Sequence, residues 1–120
     1  MQLNKRQVGT KYETIAAEYL MEKGYKILAR NYRNYYGEID IIAERDGILV
    51  YVEIKYRKSA KYGDPLEAVD IRKQRRISRC AAYHYAGYGA TRNMPCRFDV
   101  IGIYGDRGMR HIENAFEYRG

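Results

Sequence analysis

The chain has 120 residues, enough for one domain spanning 1–120 with a modest core and too few for two. Apolar residues make up 46% and charged residues 31%, the balance of a folded globular protein, and the formal charge of +7 points to an anionic partner. No stretch is long and apolar enough to span or anchor in a bilayer, and the first six residues lack the apolar core of a secretory signal. Cys80 and Cys96 form no CxxC pattern and fit a reducing cytoplasm; with His84 and His111 they complete no recognisable zinc spacing.

No internal repeat or linker interrupts the chain. Val8, Tyr12, Ile15, Ala16, Tyr19 and Leu20 recur at helical spacing, predicting a helix over 8–23 that Gly24 stops. Residues 25–33 read as a strand with Ile27 on one face and Leu28 on the other, and 34–37 have turn chemistry. Two stronger strands, 38–44 and 48–56, are rich in isoleucine, valine and tyrosine. Between them Asp46-Gly47 tolerates the positive φ angles of a two-residue hairpin. Residues 57–63 are basic and polar, as in an exposed loop. The second helix has two possible starts, Asp64-Pro65-Leu66-Glu67 or a cap at Asp70, and runs to about Tyr85. Strands over 97–104 and 109–116 follow, joined by 105–108. The order α-β-β-β-α-β-β predicts a mixed sheet flanked by helices.

The hairpin fixes a geometry. With Asp46-Gly47 as a two-residue loop, Arg45 faces Ile48, and stepping outward brings Asp40 opposite Glu53. Opposed residues share a face with Cβ atoms about 4.5–5.5 Å apart, and Lys55 joins that face by alternation. Two such carboxylates repel, and a divalent cation relieves the repulsion; hard cations such as Mg²⁺ take carboxylates together with substrate phosphate. A lysine beside them can stabilise charge on a phosphoryl oxygen or help deprotonate an attacking water. Ile39, Ile41, Val52 and Ile54 lie on the opposite strand faces and are expected to form the core, so a buried apolar side is set against a polar site side. The plainer alternative is a surface ion-pair ladder in which Lys55 bridges the two acids, and a one-residue slip of the hairpin would destroy the pairing.

Gly37-Glu38-Ile39-Asp40-Ile41-Ile42 followed by Val52-Glu53-Ile54-Lys55 resembles the core of the PD-(D/E)xK restriction-endonuclease-like superfamily, with Ile39 where the proline would stand. With Gly63-Asp64-Pro65-Leu66-Glu67-Ala68-Val69 and Arg97-Phe98-Asp99-Val100-Ile101, nearly the whole chain resembles the small bacterial YraN-like family. The resemblance implies a restriction-endonuclease-like αβββαβ core similar to archaeal Holliday-junction resolvases. It implies metal binding by Asp40 and Glu53, with Lys55 as the catalytic lysine. Resolvase-like nucleases also bring a glutamate from the first helix to the metal. Gly9-x-x-x-Glu13 resembles that placement, with an exposed, solubilising Glu13 as the other reading. Glu38 shares the face of Asp40 or ends the strand in solvent; Asp99 is read as structural.

Arg72, Arg75, Arg76 and Arg79 fall at i, i+3, i+4 and i+7 of the second helix, one basic stripe suited to successive phosphates, while Ile77, Ala81 and Tyr85 share a packing face. Gln74 lies beside the stripe and could approach the site. Arg57, Lys58 and Lys61, with Tyr56 and Tyr62, follow the lysine strand, and Tyr32, Arg33, Tyr35 and Tyr36 precede the aspartate strand; together they could hold phosphates and stack bases. The leading expectation is a Mg²⁺- or Mn²⁺-dependent phosphodiesterase acting on structured or branched DNA, DNA being favoured over RNA. Its metal ligands would be Asp40, Glu53, the Ile54 carbonyl and Glu13. A non-catalytic nucleic-acid-binding protein that retains the nuclease fold is the alternative, and a protein-interaction domain using tyrosine-rich strand edges a third. By analogy with resolvases, a homodimer would suit symmetric junctions.

Overall fold

A computed structural model describes residues 4–58, 64–105 and 108–120. The elements are α1 (Lys5–Glu22), β1 (Lys26–Asn34), β2 (Gly37–Arg45), β3 (Ile48–Arg57), α2 (Ile71–Gly87), β4 (Cys96–Tyr104) and β5 (Gly108–Phe116), with 3₁₀ turns at Pro65–Ala68 and Ala90–Arg92. The five strands form one mixed sheet in the order β1-β2-β3-β4-β5, in which β3 and β4 are parallel and the other neighbours antiparallel. This is the expected α/β architecture, consistent with a restriction-endonuclease-like core.

α1 begins three residues earlier than its apolar spacing suggests. Asn4 and Gln7 form a reciprocal capping box: Asn4 Oδ1 accepts from the Gln7 amide at 2.8 Å, and Gln7 Oε1 accepts from the Asn4 amide at 2.9 Å. The second helix uses both of its candidate starts. Asp64 caps the 3₁₀ turn with Pro65 in its first position, and Asp70 caps α2 by accepting from the Lys73 amide. The β2–β3 turn has Asp46 at φ 53° and Gly47 at φ 78°, as a primed two-residue turn requires.

The expectation of one buried and one polar sheet face is corrected: each face carries a helix. Ala16, Ala17 and Leu20 of α1 pack on Ile41, Val50, Val52 and Ile101. Ile77, Cys80 and Ala81 of α2 pack on Ile42, Leu49, Tyr51 and Val100. Ile54 joins the α1 side with Ile41 and Val52, but Ile39 joins the α2 side, against simple alternation. That change of side falls where the β2–β3 ladder ends, at Ile41↔Val52, and the two strands begin to part. The candidate carboxylates are therefore placed at strand ends that the helices leave open.

Asp99 is fully buried on the α1 side and heavily bonded, as its structural reading requires. Its carboxylate accepts from Arg97 Nε at 2.9 Å and from the Asn114 amide at 3.0 Å, and His111 Nε2 lies at 2.7 Å. Asn114, at φ 51°, sits in the irregular part of the β4–β5 pairing that aims this amide at Asp99. Burial pushes the Asp99 carboxyl up, but the bonds from His111, Arg97 and Asn114 outweigh it and hold the carboxyl below its ordinary value. His111 continues to the Tyr19 hydroxyl at 2.9 Å, tying α1 to the sheet.

Gly102 of β4 lets the 3₁₀ turn approach the sheet: a Cβ there would overlap the Pro65 ring. Gly102→Ala should cost about 1–3 kcal/mol, the usual range for overpacking a tight contact, read as a lower urea midpoint with an unchanged slope. A midpoint equal to the wild type would show that the turn is not held by this contact.

Candidate active site

β2 and β3 pair from Arg45↔Ile48 to Ile41↔Val52, the register that the hairpin predicts, and Asp40 and Glu53 come one step past the last pair. There the Asp40 side chain takes over from the backbone ladder, its Oδ2 accepting from the Ile54 amide at 2.7 Å. The Asp40 and Glu53 carboxyls share a hydrogen bond, and Lys55 follows two residues along β3. These three side chains line a groove of about 670 Å³ between the strand ends and α2, together with Lys73 and Arg76.

Burial, the hydrogen bond to Asp40 and the Asp40 charge push the Glu53 carboxyl up to about 9, against the pull of Lys55 and Lys73. At neutral pH Glu53 therefore keeps its proton. Lys55 moves the other way: burial and the adjacent Lys73 lower it, with Glu53 and Asp40 opposing. An acid kept protonated beside an ammonium of lowered pKa is an uncommon arrangement on a plain surface, where an ion-pair ladder would leave both groups near their ordinary values.

The donor set fits a hard divalent cation. Two carboxyls line one groove, where a cation would offset the repulsion that an ionised pair would suffer, and oxygen donors suit Mg²⁺ or Mn²⁺. Among the described residues no three of His, Cys, Asp and Glu gather to hold a metal, so Glu13 does not join Asp40 and Glu53 as a third carboxylate. Glu13 is buried, not a solvated surface acid. Its Oε1 accepts from Arg30 Nε at 2.6 Å, and it lines a second groove, on the α1 side, that also reaches Asp40. Ile54 meets Asp40 through its amide. Glu38 pairs with Arg33 at 3.0 Å, both side chains largely exposed.

The α2 stripe divides. Arg72, Arg75, Arg76 and Arg79 are all exposed, but only Arg76 reaches the groove. Gln74 does not approach the site: it is buried, its Nε2 donating to the Val69 carbonyl and its Oε1 accepting from Arg119 Nε. Lys73 takes the place assigned to it. An arginine stripe does not include Lys73, although Lys73 stands four residues before Ile77, whose side chain borders the same groove. Arg57 ends β3 and donates to the Tyr56 carbonyl, Lys58 is exposed, and Lys61 and Tyr62 lie outside the described residues. Tyr35 and Tyr36 are exposed at the β1–β2 turn, whereas Tyr32 packs edge-on against His84. His84 is itself held by the Tyr51 hydroxyl at 3.0 Å, and burial lowers its pKa.

The model of the family described as "Uncharacterised protein family UPF0102" matches residues 12–103, a span that includes Asp40, Glu53, Lys55 and Lys73. A UPF0102 protein of Lachnoclostridium phytofermentans is 48% identical over 118 residues, covering 98% of this chain and 99% of its own. One from Symbiobacterium thermophilum is 48% identical over 115 residues, covering 92% and 97%. One from Clostridioides difficile is 42% identical over 115 residues, covering 95% and 100%.

Proposed function

We propose that this chain, which belongs to the uncharacterised protein family UPF0102, is a divalent-metal-dependent phosphodiesterase acting on structured or branched DNA. The observation that carries this reading is that Asp40, held to the Ile54 amide, and Glu53 line one groove together with Lys55, Lys73 and Arg76.

Asp40 and Glu53 would hold Mg²⁺ or Mn²⁺, with the Ile54 carbonyl completing the protein donors; Glu13 is instead paired with Arg30 on the α1 side. When bound, such a cation supplies Lewis-acid polarisation of a phosphate oxygen and makes water more acidic. The bond from the Ile54 amide fixes one Asp40 oxygen, so the other is left to act. A cation there would be held by the ionised form of Glu53, whose proton would pass to solvent. Lys55, with its lowered pKa, can accept a proton from the attacking water or hold charge on a phosphoryl oxygen. Lys73 and Arg76 neutralise the phosphate backbone on the α2 wall.

The test is a cleavage assay on junction, flap, duplex and single-stranded DNA with Mg²⁺ or Mn²⁺. Cleavage is expected on at least one of these and should vanish in Asp40→Ala. Equal rates for wild type and Asp40→Ala on all four would end the enzyme reading.

A second reading draws on Arg72, Arg75 and Arg79, which are exposed yet stand away from the groove. They suit a protein that holds nucleic acid without cutting it. That reading expects salt-sensitive DNA binding that survives Glu53→Ala and Lys55→Ala, and it falls if no binding is detected at low salt.

A further inference from the structure

The α2-side groove is only half of the depression around Asp40. A second groove, about 760 Å³, runs along the α1 side, and the two share Arg33, Glu38, Asp40 and Ile54. They meet where the β2–β3 ladder stops and the Asp40 side chain bridges to the Ile54 amide. The result is one trough that passes the carboxyl pair and turns from one face of the sheet to the other.

The α1-side limb has its own chemistry. Lys5 and Arg6, exposed in the first turn of α1, stand at its wall, and that turn carries no acidic residue to offset the positive end of the helix. Tyr12 and Tyr56 line it as a stacked pair, ring centres 4.2 Å apart and planes 14° from parallel. Its acids other than Asp40 are both paired: Glu13 with Arg30 and Glu38 with Arg33. A basic track with an aromatic platform suits unpaired nucleotides, whose phosphates take the cations and whose bases stack on tyrosine.

We infer that the α1-side limb holds a single strand leading to the reacting phosphate, so that the substrate is DNA unpaired on at least one side of the scissile bond. A duplex is stiff over about 150 base pairs and does not follow a channel that reverses faces within a body 24 Å across its shortest axis. A single strand does. This rests on the phosphodiesterase reading only for which phosphate is cut; the binding track stands on its own residues.

The experiment uses the full chain, wild type and the Lys5→Ala/Arg6→Ala double variant, in EDTA so that nothing is hydrolysed. Fluorescence anisotropy follows a labelled oligothymidine and a blunt duplex across a salt series, and thermal melts confirm that the variant folds. Each phosphate contact on a single strand contributes about 0.7 to the slope of log K against log salt, so losing two should flatten it by about 1.4 for the oligothymidine. The blunt-duplex slope should stay as it is. An unchanged oligothymidine slope, an equal change with the duplex, or no salt-sensitive binding of oligothymidine by the wild type would each overturn the inference. If the slope flattens as expected but no DNA is cut above the Asp40→Ala background, the hydrolase reading falls and the single-strand track remains.

Discussion

Glu53→Gln should stabilise the metal-free protein at pH 7 by about 3 kcal/mol while weakening cation binding on the order of a hundredfold or more. The two effects have one cause. In the native protein Glu53 keeps its proton up to about 9, whereas in the unfolded chain it ionises near its ordinary value of 4.5. Below that lower value both states are protonated and the group is neutral with respect to folding. As pH rises between the two values the unfolded chain has released a proton that the folded one retains. Stability therefore falls by up to 1.36 kcal/mol per pH unit, and the loss is complete above the folded value. Glutamine cannot ionise and can still share a hydrogen bond with Asp40, so the variant escapes the loss. Urea midpoints in EDTA at pH 5, 7 and 9 should decline for the wild type and stay level, as far as Glu53 is concerned, for the variant. A cation reverses the sign: it favours the ionised pair, so Mn²⁺ binding to the wild type at pH 7 should release close to one proton per ion. Calorimetry in two buffers of different ionisation enthalpy reads that number. Parallel midpoint curves for the two proteins, or Mn²⁺ binding with no proton release, would remove the Glu53 proton from the site and the metal reading with it.

The hairpin that builds this site was readable because its rules are local. Asp46-Gly47 fixes the turn, the turn fixes the register, and a period of two then fixes which side chains travel together. What escaped depends on distant chain segments. Alternation within β2 and β3 says that Ile41 and Ile42 face opposite ways, but not that a helix waits on each side; that follows from where α1 and α2 dock. Ile39 changes sides because the strands part at Asp40, a tertiary event with no periodic signature. The capping box at Asn4 and Gln7 lies outside the apolar spacing for a different reason: it is polar, and such spacing marks a helix only from its first apolar residue. Gln74 and Lys73 are adjacent on α2, and Lys73, not the expected Gln74, reaches the groove. The 100° step between them turns one toward Val69 and Arg119 and the other toward the groove, and the choice needs the rotation of the docked helix. Asp99 was legible as structural, but its partners His111, Arg97 and Asn114 come from two strands whose irregular pairing the sequence does not announce.

Lys55→Ala should lower the cleavage rate by about 10²–10⁴, the range for removing a positioned proton-transfer group, with the fold retained because the side chain is only half buried. Two roles for Lys55 are chemically open, and Lys73 separates them. Lys73 is among the causes that hold the Lys55 pKa down, so Lys73→Ala should let it rise. If Lys55 acts neutral, as a base toward water, the rising limb of the pH–rate profile must move to higher pH in Lys73→Ala. If it acts as an ammonium holding a phosphoryl oxygen, the rising limb stays and the falling limb moves up instead. Lys55→Arg adds an independent reading, since a guanidinium keeps the charge but cannot serve as a base near neutral pH. Partial rescue by arginine belongs with the ammonium role, and loss as deep as in alanine belongs with the base. The lowered pKa favours the base: burial and Lys73 both work toward a neutral amine, and only the two carboxyls resist. A bound cation would weaken that resistance by neutralising the carboxyls, so Lys55 is closest to neutrality when the site is loaded. Lys55→Ala within threefold of the wild-type rate would exclude both roles.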